Sequence, residues 1–162
     1  MRRATRIQPA GNCDASAAVD RVVLDADERH RRRAVLTGES GTKFLLDLER
    51  AVALKDGDGL VLDDGSIVIV AGRSEALMEI EAETPLDLLR LAWHLGNRHT
   101  QVEIVGTKLR IRRDHVLESM VAGLGGKLTP IEAPFEPEAG AHVQGEHAHD
   151  HDHAHADHEH GA

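Results

Sequence analysis

An α+β chain is what this sequence predicts: a small all-β unit over residues 1–75, a ferredoxin-like βαββαβ unit over 76–140, and a disordered histidine-rich tail over 141–162. Three observations carry that reading. Short β-branched or leucine-rich runs punctuated by Gly and Asp-Gly fill the first half. Two amphipathic helical patterns alternate with strand patterns in the second half. Beyond Pro130 the composition turns to Pro, Glu, Asp and His, with few large apolar side chains left to bury.

In the first unit the predicted strands are Val22-Val23-Leu24, Ala34-Val35-Leu36, Phe44-Leu45-Leu46, Leu60-Val61-Leu62 and Ile67-Val68-Ile69-Val70. Gly38, Gly41, Asp56-Gly57, Asp58-Gly59 and Asp64-Gly65 separate them and favour the positive φ of tight turns. Two motifs in this half look like ligand loops and fail on inspection. GESGTKF (38–44) lacks the Gly-Lys-Ser/Thr ending of a phosphate-binding loop. DGDGLVLDDG lacks the twelfth-position ligand of a calcium loop and reads as hairpin turns.

In the second unit Ala76 to Glu83 alternates like a strand. Thr84-Pro85 then supplies an N-cap followed by proline at the first helical position. Leu88, Leu91 and Leu95, with Leu89, Ala92 and Trp93 beside them, make a broad apolar helix face, and Gly96-Asn97 is a suitable left-handed stop. Gln101 to Val105 and Lys108 to Arg112 read as strands about a Gly106-Thr107 turn. Asp114 caps a second helix, whose Leu117, Met120, Val121 and Leu124 fall at i, i+3, i+4 and i+7. Gly125-Gly126 ends it, and Lys127 to Ile131 forms a last strand. The order βαββαβ is the ferredoxin-like arrangement. IEAPFEPEAGAH reads as a proline-broken extended linker.

Charge is divided unevenly along the 162 residues. The formal net charge is −9, yet residues 1–127 hold 19 basic and 20 acidic side chains; all eight remaining acids lie beyond Lys127, with no Lys or Arg among them. A nearly neutral folded part therefore carries a polyanionic tail. ERHRRRAVL (28–36) is basic, but Asp25, Asp27 and Glu28 adjoin it, and Trp93, Phe44 and Phe135 are the only Phe, Trp or Tyr residues. Nucleic-acid binding is disfavoured, and a solvated or partner-binding face is expected. The lone Cys13 excludes an intramolecular disulfide and suits a reducing cytosol. There is no apolar leader and no run of eighteen apolar residues, so a soluble cytoplasmic protein without membrane partners is expected. No Ser-His-Asp or Cys-His set stands out, and Ser40 and Ser119 have no evident partner. A non-enzymatic role follows.

Histidine is the concentrated chemistry. The tail holds His142, His147, His149, His151, His153, His155, His158 and His160. Imidazoles with an ordinary pKa near 6.5 are mostly neutral at pH 7 and offer lone pairs to metal ions. The intervening Asp and Glu add oxygen donors and favour a divalent cation. Such a nitrogen and oxygen set suits Ni²⁺, Zn²⁺, Co²⁺ or Cu²⁺. Affinity tags are usually unbroken histidine runs, whereas this segment mixes Ala, Asp and Glu. His94 and His99 bracket the Gly-Asn helix stop; on a continuous helix residues five apart point about 140° away from each other. Either is open to a structural role, His94 by favouring the helix dipole. A two-fold contact through this helix end would instead bring His99 of two chains together. His115 follows the Asp114 cap and is open to ligation or to simple exposure.

LAWHLGNRHTQVEI resembles the HLGNRH signature of the UreE family of urease accessory nickel metallochaperones. DHVLESMVAGLGGKLTPIEAPFEPEAGAH is similar to the segment that follows it there, and VVLDADERHRRRAVLTGESGTKFLLDL with GDGLVLDDGSIVIV resembles that family's N-terminal domain. The resemblance implies a partner-binding β domain, a ferredoxin-like metal-binding domain and a homodimer joined through the latter. It also implies delivery of Ni²⁺ to apo-urease through the accessory GTPase UreG and the other maturation proteins. His99 would be the principal interfacial ligand, with His94 and His115 at positions where some members have auxiliary ligands. Arg113 departs from the histidine that some members place two before His115.

Overall fold

The computed structural model describes residues 1–139. Ten strands and three helices follow one another as β1 (Arg2–Gln8), β2 (Asp20–Leu24), α1 (Ala26–Arg29), β3 (His30–Thr37), β4 (Lys43–Ala53), β5 (Gly59–Leu62), β6 (Ile67–Gly72), β7 (Ser74–Glu81), α2 (Pro85–Asn97), β8 (Glu103–Val105), β9 (Lys108–Arg112), α3 (His115–Gly123) and β10 (Lys127–Pro134). The fold is mixed α+β, mostly strand, in two sheets.

The first sheet runs β2-β6-β5-β1-β4-β3, and the second runs β10-β7-β9-β8. In the first, β1 lies parallel to β4 and β2 parallel to β6; every pair in the second is antiparallel. Ala4, Phe44, Leu46, Leu54, Leu60, Val68 and Val70 are almost wholly buried in the first core. Met78, Ile80, Leu109 and Ile111 present one sheet face to Leu91 and Leu95 of α2 and Val121 of α3 in the second. The alternate residues of β7 and β9 form a charged face, where Glu79 sits opposite Arg110 (3.1 Å) and also meets Lys108 (3.1 Å).

Strand β1 is absent from the sequence reading. RRATRIQ buries only Ala4, so its position between β5 and β1's parallel neighbour β4 leaves no apolar alternation to read. GESGTKF does wrap an anion, but an internal one. The Asp20 carboxylate accepts the amides of Ser40 (2.9 Å), Thr42 (2.9 Å) and Arg21 (2.7 Å). Those donors hold it far below the usual carboxylate range, Ser40 contributing most. Gly38 is required by closeness and not by φ: a Cβ there would lie 2.2 Å from the Asp20 carboxylate.

The extended-linker reading fails at its first half. β10 continues through Pro134 at the sheet edge, where a residue without N–H is tolerated, and Phe135 is completely buried. Arg29, 2% exposed, donates to the carbonyls of Leu24 (3.3 Å), Leu54 (3.2 Å) and Phe135 (2.5 Å), so one guanidinium ties the two sheets together. Arg112 stacks over the Phe135 ring at 5.1 Å and pairs with Glu75 and Asp27. The tail's predicted disorder lies outside the described residues.

Candidate metal centre

Helix α2 begins as its sequence dictates: the Thr84 hydroxyl accepts the Asp87 amide (3.1 Å) and Pro85 occupies the first turn. Its end differs from expectation. Gly96 and Asn97 stay helical, Arg98 is the C-cap, and the left-handed residue is His99, with φ of 56°. The Thr100 amide reaches back to the Leu95 carbonyl (3.2 Å) and the His99 amide to Gly96 (3.0 Å). Helix α3 closes by the same pair of bonds, Gly126 to Val121 (2.9 Å) and Gly125 to Ala122 (3.1 Å), with Gly125 as the left-handed residue. The two caps match except for their central residue. One uses the residue that fits without strain, the other an exposed imidazole.

His94 is half-buried one turn back, its ring edge-on to Trp93 at 5.0 Å between centroids. His115 is the exposed first residue of α3, behind the Asp114 cap that accepts the amides of Val116 and Leu117. Arg113, two residues before it, is held by Glu118 at 3.2 Å. Glu103 pairs with Arg110 across β8 and β9, so the segment carrying His99 enters the hairpin at the end from which the segment carrying His115 leaves. Arg112 donating to Gln101 (2.8 Å) closes that end. The Glu138 amide donates to the Val102 carbonyl (2.8 Å), which places the root of the tail there too.

These neighbours do not form a finished site. Among the described residues, no three His, Cys, Asp or Glu side chains converge as a metal site would require. The eight tail histidines, from His142 to His160, lie outside the described residues. The apolar face read from α2 also divides. Leu91 and Leu95 are buried, whereas Leu86, Leu89 and Trp93, at i, i+3 and i+7, are 54, 67 and 63% exposed. Sequence pattern counted Leu89 and Trp93 with the core face because residues one or two positions apart blur a helix's two sides. Among the described residues no helix is long and apolar enough to cross a membrane.

A family profile for the UreE urease accessory protein, C-terminal domain, matches residues 75–161, and one for its N-terminal domain matches residues 4–72. The urease accessory protein UreE of Bradyrhizobium sp. (strain ORS 278) is 55% identical over 148 residues, covering 91% of this chain and 70% of that protein. Its namesake in Rhodopseudomonas palustris (strain BisB18) is 57% identical over 129 residues, 80% of this chain and 61% of that protein. That of Chelativorans sp. (strain BNC1) is 44% identical over 143 residues, 88% and 90% of the two chains. The chain thus spans between 61% and 90% of these relatives' lengths. With both domain profiles matched and such relatives along most of its length, the chain belongs to the UreE urease accessory protein family.

Proposed function

We propose that this chain is a non-enzymatic nickel metallochaperone of the cytoplasm that delivers Ni²⁺ for assembly of the urease active site. Residues 1–75 act as a partner-binding β domain, residues 76–140 as a ferredoxin-like metal-binding and dimerisation domain, and residues 141–162 as a collecting tail. Two chains pair through α2, and the two His99 rings share one cation on the symmetry axis. The accessory GTPase UreG and the urease maturation complex receive the ion. The observation that carries this reading is His99 itself. A non-glycine residue held at positive φ on an exposed helix end is a strained arrangement of the kind that clusters at ligand sites.

Two features support it. The Leu86, Leu89 and Trp93 stripe is an exposed apolar surface suited to an isologous contact, and it runs toward the end His99 caps. The Glu138 to Val102 bond puts His142 only four residues from that end, a reach of up to about 14 Å of extended chain. His94 and His115 serve as auxiliary donors. A neutral imidazole pair suits Ni²⁺ but by itself favours Cu²⁺ more strongly, so the choice of nickel rests on the family.

A second reading, a general divalent-metal buffer (Ni²⁺, Zn²⁺ or Cu²⁺) working through the tail, is favoured by the scatter of donors among the described residues. Ni²⁺ titration of wild type, His99→Ala and a chain ending at Gly140 separates the two. The chaperone reading expects tight binding lost in His99→Ala, and in the shortened chain only a lower stoichiometry with partial urease activation in cells. Unchanged tight binding in His99→Ala removes the interface site.

A further inference from the structure

Strand β3 forms an edge of the first sheet and opens with His30, Arg31, Arg32 and Arg33. Between Arg31, opposite Val52, and Arg33, opposite Asp47, the register jumps, so residues 48–51 of β4 stand against the single Arg32; Leu48 stays in the core, while Glu49 and Arg50 are exposed in the bulge beside this edge. The acids that dilute this charge in sequence are engaged elsewhere. Asp25 and Glu28 cap α1 reciprocally, Glu28 also faces Arg73 (3.6 Å), and Asp27 faces Arg112 (3.4 Å). Asp47 is shared between Arg3 (3.5 Å) and Arg33 (3.6 Å). Among the described residues, Arg31, Arg32 and Arg50 meet no carboxylate. Edge protection needs charge of either sign, but four arginines (Arg31, Arg32, Arg33 and Arg50) against Asp47 and Glu49 make a one-signed field.

A complementary segment belongs to the same chain. Residues 140–162 contain Glu146, Asp150, Asp152, Asp157 and Glu159 and no Lys or Arg. Their root is fastened beside the patch: Arg29, the residue before β3, holds the Phe135 carbonyl (2.5 Å) and faces the Glu136 carboxylate (3.6 Å). From Glu138, Glu146 is eight residues on, a reach of up to about 28 Å, while Arg29 to Arg33 spans about 13 Å of strand.

We propose that the metal-free tail docks on the β3 and β4 arginine edge of its own chain and is released when its histidines take up divalent cations. Roughly three ions cancel its five carboxylates, which removes the attraction. The docking half stands on charge and reach alone; the release half rests on metal binding by the tail, and neither requires the His99 site.

The test is an amide NMR comparison on the full chain with chelator present. In wild type the Glu146 to Glu159 resonances should move when salt rises from about 20 mM to about 500 mM, because screening shortens from beyond 20 Å to under 5 Å. The variant Arg31→Gln, Arg32→Gln, Arg50→Gln should show the high-salt positions already at low salt. Saturating Zn²⁺ should move the wild-type Arg31 to Arg33 amides to their high-salt positions. Tail resonances identical in wild type and variant at low salt would overturn the docking; β3 amides unmoved by Zn²⁺ would overturn the release. Neither result bears on nickel at His99, which the titration above reads separately.

Discussion

Replacing His99 by glycine should stabilise the metal-free protein while abolishing the tight nickel binding proposed for that residue. His99 occupies at the end of α2 the left-handed position that Gly125 occupies at the end of α3, with φ of 56° and 84° and the same two closing hydrogen bonds. An L-residue there costs about 1–2 kcal/mol relative to glycine. Glycine's extra freedom in the unfolded chain takes back about 0.5–1 kcal/mol. The net gain is about 0.5–1 kcal/mol, a rise in Tm of roughly 1–4 °C for a chain of this size. His99→Ala keeps the strained φ and should show no such gain. Urea unfolding of the three proteins with chelator, at one fixed protomer concentration, measures the difference. A glycine variant less stable than wild type by more than about 1 kcal/mol would mean the ring holds the fold together, and the functional account of its strain would fail.

Leu89→Glu, at a side chain 67% exposed, should leave each chain folded but weaken self-association at least about tenfold in sedimentation; an unchanged dimer would move the interface away from α2. Arg29→Met strips a donor from each of three carbonyls and removes the ion pair with Glu136, whose carboxylate keeps only the Asp56 amide among the described residues; this should cost roughly 3 kcal/mol in urea unfolding. A loss below about 1 kcal/mol would show that the junction does not depend on that guanidinium. Asp20 is depressed in the folded state, so its contribution is complete above the unfolded pKa of about 3.9 and is lost as pH falls below it toward the folded value. Asp20→Asn should therefore be less stable at neutral pH and show a shallower acid limb when unfolding is followed by circular dichroism; an identical limb would contradict that assignment.

The parts of the fold legible in the sequence are those where local chemistry and burial agree. Thr84-Pro85, Asp114 and Gly125 mark helix ends because cap side chains and positive φ have few substitutes. β1 is illegible because its partners, not its own side chains, make it a strand: RRATRIQ buries only Ala4 yet is paired on both edges. Phe135 was misread because prolines suggest a free linker, while β10 lies at an edge that tolerates them and Arg29 fixes the residue beyond. At the candidate site His99 stood out by motif, but its left-handed backbone did not. Gly96-Asn97 carries the stronger local signal for that conformation, and the helix runs past it by packing Leu91 and Leu95 into the core. The exposed stripe of Leu86, Leu89 and Trp93 was hidden within an apolar run whose two faces only the packed structure separates.

Anomalous scattering at the nickel edge from crystals of the loaded 162-residue chain tests the proposed shared site most directly. The expected result is one strong peak on a two-fold axis, with an imidazole nitrogen of His99 from each chain about 2.1 Å away, a distance typical of imidazole bound to a first-row divalent metal. Nickel found only on tail histidines, with the His99 rings apart and unliganded, would contradict it.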